Sequence, residues 1–232
     1  MKNFSILFEN PEIILVNKAA GFSVQGGAGI SHSLDESLSR QLGYKIHLVH
    51  RLDKETSGIL IVAKSPAAAA KWTRLISCGQ VQKEYAAVCF GIPLVNGKKK
   101  RAGSLLGTVE AHGRMQAAET QFAVLSECRA AIPGNENGAE LEMSLLGITI
   151  RTGRMHQIRI QMAQAQCPVA ADDRHGDFKK NRLARALGIR RLHLASVRLT
   201  VPLDGRQETF SVPLPEHMAR TVQQFFGSDT DA

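Results

Sequence analysis

A chain of 232 residues, 44% apolar and 22% charged, has the composition of a globular protein able to bury a sizeable core. No apolar run approaches the ~20 residues that span a bilayer, and Met1-Lys2-Asn3-Phe4 lacks the apolar stretch of a signal peptide. No membrane partner is therefore expected, and the expected location is cytoplasmic. A net charge of +8 suits a polyanionic partner, or equally a soluble protein that is simply basic.

Glu12 to Val16 reads as a compact apolar strand, ended by Asn17-Lys18-Ala19-Ala20-Gly21. Gln25-Gly26-Gly27-Ala28-Gly29 lacks the lysine and the strand-to-helix setting of a phosphate-binding loop and reads as a mobile loop. Ser33-Leu34-Asp35-Glu36 has the form of a capping box, and Leu34, Leu38 and Leu42 give one apolar helix face that stops at Gly43. Ser65-Pro66 opens a second helix, alanine-rich, that ends near Cys78-Gly79. Val81 to Phe90 is a long strand. Antiparallel strands follow to about residue 150, with a turn at Pro133 to Gly138.

Gly153 to Gln164 reads as a helix, because Arg154, Ile158 and Met162 recur every four residues. Leu192 to Val201 and Glu208 to Val212 flank the hairpin signal Leu203-Asp204-Gly205-Arg206. Pro215 opens a last helix carrying Met218, Val222, Phe225 and Phe226. Strands dominate without β-α-β alternation, which predicts an α+β fold with a mixed, mainly antiparallel central sheet and flanking helices. The expected organisation is one domain over residues 1–226 and a polar, disordered tail over 227–232.

Four cysteines lie far apart, so buried free thiols are expected rather than structural zinc. No dinucleotide or nucleotide fingerprint is present, and neither cofactor nor metal is expected. Two basic stretches could meet a polyanion. Lys98-Lys99-Lys100-Arg101 forms a block, and Lys179, Lys180, Arg182, Arg185, Arg190 and Arg191 are dispersed. A charge run is more often a solvated loop, so neither alone marks a site. One Trp and two Tyr are too few for an extended stacking platform.

The densest polar stretch is His50-Arg51-Leu52-Asp53-Lys54-Glu55-Thr56-Ser57-Gly58, held between Ile46-His47-Leu48-Val49 and Ile59-Leu60-Ile61-Val62. Buried strands fix such a loop while the loop exposes its side chains. Each residue also has a plain structural reading. Asp53 suits a turn, Tyr85 a core strand, Arg154 a surface, and His50 and His156 satisfied interior positions.

The run resembles the His-Arg-Leu-Asp-x-x-Thr-Ser-Gly signature of the RluA-type pseudouridine synthases. Asn17-Lys18-Ala19-Ala20-Gly21 resembles their first motif, with alanine for the usual proline. Lys83-Glu84-Tyr85 resembles their Lys-x-Tyr strand, and Gly153-Arg154-Met155-His156-Gln157-Ile158-Arg159 their Gly-Arg-x-His-Gln-Ile-Arg motif. Asp172-Asp173-Arg174-His175-Gly176-Asp177 resembles a later segment more loosely. The likeness spans about residues 12 to 200.

The resemblance implies a pseudouridine synthase fold and isomerisation of uridine to pseudouridine in ribosomal or transfer RNA, without a cofactor. The uracil N1–C1′ bond breaks, the base turns, and C5 bonds to C1′. Asp53 would supply the ionised carboxylate beside the ribose, as nucleophile or as proton acceptor. An arginine nearby favours a buried carboxylate's charged form, and Arg154 is the candidate partner. Tyr85 would stack on the flipped uracil, and Arg51 would fill the gap left in the RNA. His50, Thr56, Lys83, His156, Gln157 and Arg159 would contact substrate or RNA.

Two departures stand out: Gln161 replaces a histidine of the third motif, and Leu194-Ala195-Ser196 stands for a Leu-His-Ala element, with His193 displaced. Only about ten residues precede the first strand, leaving no room for the S4 domain often fused to these enzymes. The expected protein is a stand-alone monomer that reads its RNA with loops such as Gly26 to Ser33 and Val95 to Met115. The alternative is a catalytically inactive RNA-binding assembly factor of the same fold. A glycosidic-bond hydrolase would need a second carboxylate that the motifs do not supply.

Overall fold

The computed structural model describes residues 4–26, 33–111, 113–134 and 138–227. The glycine-rich residues 27–32, the middle of the turn at 135–137 and the tail 228–232 lie outside them. The elements run β1 (Ser5–Glu9), β2 (Ile13–Lys18), α1 (Leu34–Leu42), β3 (His47–Leu48), β4 (Ser57–Ala63), α2 (Pro66–Ser77), β5 (Gln82–Phe90), β6 (Leu94–Val95) and β7 (Lys98–Lys99). They continue β8 (Ala102–Ala111), β9 (Arg114–Ala131), β10 (Glu140–Ile150), α3 (Gln157–Gln164), α4 (Phe178–Ala186), β11 (Leu194–Leu203), β12 (Arg206–Ser211) and α5 (Glu216–Phe226). This is the expected α+β fold. The described strand pairings are antiparallel. The chain forms two compact units, Met1–Lys83 with Ser196–Val212, and Glu84–Ala195 with Pro213–Ala232.

In the first unit the strand order is β1-β2-β4-β11, with β3 on β4 and β12 on β11. Every residue of β4 is buried, which is why Ser57 to Ala63 reads as a nearly continuous apolar run. Side chains alternate across a strand, so Ile13 and Leu15 share a face with Ile59, Ile61 and Ala63. With Leu199 and Val201 these form one core cluster, and Ala68 and Trp72 of α2 cover it. Ser65 caps α2 as expected, its Oγ accepting from the Ala68 N–H at 3.1 Å, with Pro66 in the first turn. Asp204 and Gly205, at φ 48° and 81°, make the β11–β12 turn, whose two left-handed residues match the twist of paired strands.

The capping box at α1 does not form. The Leu34 and Asp35 N–H groups donate to the Ser23 and Val24 carbonyls and the Glu36 N–H to Asp35 Oδ1 at 2.9 Å, which leaves the Ser33 hydroxyl buried with no partner among the described residues. The Asp35 carboxylate and backbone from an earlier segment take the place of the serine cap.

In the second unit the order is β5-β10-β9-β8. The 18-residue β9 pairs with β8 through its first half and with β10 through its second. Residues 95–115, expected to be a loop, are therefore mostly β-ribbon. Val88, Phe90, Leu141, Met143 and Leu145 form the core with Ala184 of α4 and Val222 of α5. Two helices differ from expectation. α3 begins at Gln157 rather than Gly153, and α4 had not been anticipated. Of the cysteines, Cys89 and Cys167 are buried as expected, Cys128 is half-buried and Cys78 is exposed.

Candidate active site

In the first unit, the loop from His50 to Thr56 leaves β3 and returns as β4. β3 pairs with β4 only through His47 and Leu48. Where the chain then peels away, the Ile61 N–H donates to His50 Nε2 at 2.9 Å, so an imidazole continues the ladder that the backbone abandons. Burial, helped by the neighbouring Lys83 ammonium, pushes His50 down to about 3. It is neutral at pH 7, as an acceptor must be.

The far end of the loop is held by Lys18. This lysine is 0% exposed, at the end of the apolar strand β2. Its Nζ donates to the carbonyls of Ala19 (3.2 Å), Phe22 (2.9 Å) and Lys54 (3.0 Å). The Gly21 N–H also reaches the Lys54 carbonyl at 2.8 Å, and Thr56 N–H closes a turn on the Asp53 carbonyl at 3.1 Å. Burial draws Lys18 down to about 8, while the Glu55 and Asp53 carboxylates hold it up. Asp53 is half-buried on this braced loop, and Arg51 beside it is exposed.

Thr56 and Ser57 are buried, and their hydroxyls have no partner among the described residues. Gly58 fixes where the loop rejoins β4. At φ 111° it sits where only glycine is comfortable, and a Cβ there would come within 2.0 Å of the Ser196 carbonyl oxygen.

The second unit holds the other motif residues. Tyr85 is 6% exposed on β5, on the strand face opposite Val88 and Phe90. The turn before α3 is tied by Gln157, whose Oε1 accepts from Thr152 Oγ1 (2.7 Å) and the Arg154 N–H (3.1 Å). Its Nε2 donates to the Glu119 carbonyl (2.8 Å) and Thr120 Oγ1 (3.1 Å). With His156 left-handed at φ 55°, this side-chain turn replaces the helical turn expected at residues 153–156. Arg154 stands on it exposed, its Nε 3.4 Å from the Ala117 carbonyl.

His156 Nδ1 lies 2.8 Å from His175 Nε2. Arg159 forks onto Asp172 at 2.8 and 2.7 Å, binding α3 to the 169–177 segment. Burial pulls Asp172 up, but the Arg159 fork and the His175 and Arg174 amides outweigh it and hold the carboxyl below its ordinary value. Gln161, the departure in the third motif, donates to the Leu105 and Ala118 carbonyls and accepts from Thr120 Oγ1 at 2.7 Å, joining α3 to β8 and β9. His193, the displaced histidine, is buried against Thr221 at 2.9 Å. Burial, opposed by the Arg191 carbonyl and aided by His217, takes it down to about 4.

The candidates thus sort within each unit. Asp53 and Arg51 stand on the loop of the first unit, which His50 anchors and beside which Thr56 and Lys83 are buried. Arg154 stands on a turn of the second unit that Gln157 builds, with His156 and Arg159 engaged alongside and Tyr85 in β5. In the sequence Lys18 stands out only as part of a motif. Its signal was a lysine ending a strand otherwise made to be buried.

Two neutral interior histidines make stability pH-dependent. An unfolded histidine titrates near ~6.5. Below that pH the unfolded chain takes up protons that folded His50 and His193 refuse until about 3 and about 4. Stability is therefore lost as pH falls from about 6.5, at roughly 1.4 kcal/mol per pH unit for each group. Denaturant unfolding at pH 7 and pH 5 should show the fall. His217, also lowered by burial, adds to the fall, so His50→Gln, which keeps an acceptor for Ile61, should remove less than half of it, and an unchanged fall would assign the effect elsewhere.

Residues 12–164 match the family described as RNA pseudouridylate synthase. The chain belongs to that family, in its RluA-type group, and is an RNA pseudouridine synthase, an isomerase. It is 33% identical over 223 residues to the ribosomal large subunit pseudouridine synthase C of Haemophilus influenzae, covering 94% of this chain and 68% of that protein. To the Escherichia coli K12 protein of the same name it is 32% identical over 225 residues, covering 94% and 69%. In fold it is similar to human RNA pseudouridylate synthase domain containing 4, with a TM-score of 0.72 at 24% identity over 94% of this chain and 92% of that one.

Proposed function

We propose that this chain converts uridine to pseudouridine in ribosomal RNA, as a cytoplasmic monomer whose residues 1–226 act as one catalytic domain. Asp53 serves as the carboxylate at the ribose. The observation that carries the assignment is the bracing of its loop. His50 holds the loop at one end, and Lys18, Gly21 and the Thr56 turn hold it at the other, which fixes the position of Asp53 and of Arg51 beside it. A preorganised carboxylate spends no energy on reorganisation when charge develops at C1′.

On this reading, Asp53 either bonds to the ribose or takes its proton while the N1–C1′ bond opens. The uracil turns against Tyr85 and C5 bonds to C1′, displacing Asp53 or with the ribose proton returned, while C5 loses its proton and N1 takes one from solvent. Arg154 keeps the carboxylate ionised, and Arg51 enters the space vacated by the flipped nucleotide. The Thr56 hydroxyl, without a partner among the described residues, bonds to the substrate, since a buried polar group calls for one. The roles of His50, Gln157 and Arg159 are to hold these groups in position.

The relatives' names point to ribosomal RNA of the large subunit, with transfer RNA the other class. RNA tritiated at uridine C5 tests both points. The expected result is tritium release from large-subunit ribosomal RNA. Release from transfer RNA alone would overturn the substrate, and no release from either would overturn the activity.

A further inference from the structure

The sequence offers two basic stretches as RNA contacts, and their neighbours separate them. In the first, Lys99 and Arg101 face Glu142 and Glu127, so part of its charge is already met. The second is different. Asp172 to Arg191 contains seven Lys or Arg against three Asp, an excess equal to half the net charge of +8 in twenty residues. Of those aspartates, Asp172 is buried on Arg159, and Asp177 accepts the Lys179 and Lys180 N–H groups at the start of α4. Asp173 meets Arg185 at 3.4 Å, with both side chains largely in solvent, a pairing that water and salt screen strongly.

α4 presents this charge on one side. It buries Asn181 and Ala184, and leaves Phe178, Lys179, Arg182 and Arg185 exposed, positions that a 3.6-residue repeat gathers on one face. Arg190 and Arg191 are exposed just beyond, placed by the buried Ile189. The helix is fixed at both ends. Asp177 caps its start, and at its close the Gly188 and Ile189 N–H groups return to the Arg185 and Ala184 carbonyls. Asn181 staples it by accepting from the Ala171 N–H and donating to the Asp172 carbonyl, both at 2.9 Å. Phe178, 66% exposed at the head of this face, contributes little to any core.

We propose that the exposed face of α4, with Arg190 and Arg191, is a second RNA contact that grips phosphates away from the reacting uridine, while Phe178 stacks on an unpaired base. The inference rests on the synthase reading and adds where the rest of the RNA is held. Asn181 and the Asp172–Arg159 fork join this face to α3 and hence to the turn carrying Arg154, so it is rigidly registered with that motif.

The test compares two triple variants of equal charge change. One is Lys179→Gln, Arg182→Gln, Arg190→Gln. The other is Lys71→Gln, Arg206→Gln, Arg220→Gln, whose cations already pair with Glu12, Glu208 and Glu216. In tritium release, the α4 variant should raise KM at least about tenfold with kcat kept, and lower the slope of log affinity against log salt by about 2–3. Phe178→Ala alone should raise KM about 5- to 100-fold with little change in that slope. The paired-cation variant should move both less than about threefold. Equal effects from the two triple variants, or a wild-type KM and slope in the α4 variant with an unchanged melting temperature, would overturn the proposal. A wild-type protein that releases no tritium from any RNA would instead overturn the synthase reading beneath it.

Discussion

Asp53→Asn is expected to lower tritium release from ribosomal RNA by at least about a hundredfold. A group that moves a proton in the transition state typically contributes about 10²–10⁴-fold, and a nucleophile more. Asparagine keeps the shape of the side chain but offers neither a charge to bond to C1′ nor a base to accept a proton. The loop should survive the change, because His50 on Ile61, Lys18 on Lys54 and the backbone of Asp53 continue to hold it. RNA affinity and melting temperature should therefore stay close to wild type while kcat collapses. An Asp53→Asn enzyme that turns over at the wild-type rate would remove this aspartate from the chemistry.

Much of this could be read from the residues, and the gaps have physical causes. β4 and α2 were legible because continuous burial and a Ser-Pro start leave strong local marks. α3 was misplaced at its start because apolar spacing says nothing of side chains that replace backbone partners. Arg154 and Ile158 keep a helical interval, but Gln157 captures the Arg154 N–H and His156 goes left-handed, so the helix begins after them. α4 was missed because its composition is charged and its apolar face is short. Its marks were Asp177 at the start and Gly188 at the end, overshadowed by the run of cations.

The site was legible only as parts. Motif residues say which side chains gather, not which of them carry the load. His50 and Gln157 stand among the motif residues as naturally as Asp53 does, and their polar atoms bond to the backbone and to neighbouring side chains. The capping box at Ser33 failed for a related reason. Local pairing rules assume that no other acceptor competes, and here the Asp35 carboxylate takes the Glu36 N–H while the Ser23 and Val24 carbonyls take the two before it.

Lys18→Met should cripple the same loop from behind. The substitution strips a donor from three part-buried carbonyls at once, and of these only Lys54 keeps another donor among the described residues, the Gly21 N–H; a carbonyl left buried and unsatisfied costs about 1–3 kcal/mol. Because the Lys54 carbonyl is one of them, the loss falls next to Asp53, and kcat should drop by about tenfold or more even in the fraction that stays folded. The pH dependence separates this role from plain packing. Folded Lys18 gives up its proton near about 8, against ~10.4 in an unfolded chain.

Below about 8 both states hold the proton, and the cost of burying the charge is fully present. Between that value and ~10.4 only the unfolded chain keeps it, so this group's contribution to stability rises with pH, by roughly 1.4 kcal/mol per unit. Activity should run the other way, because the amine loses the positive charge that faces Glu55 and Asp53. The wild-type enzyme should thus show kcat/KM falling above pH of about 8 without a matching loss of stability from Lys18. In Lys18→Met that alkaline limb should vanish. A limb that persists unchanged in the methionine variant would mean that a group other than Lys18 controls it.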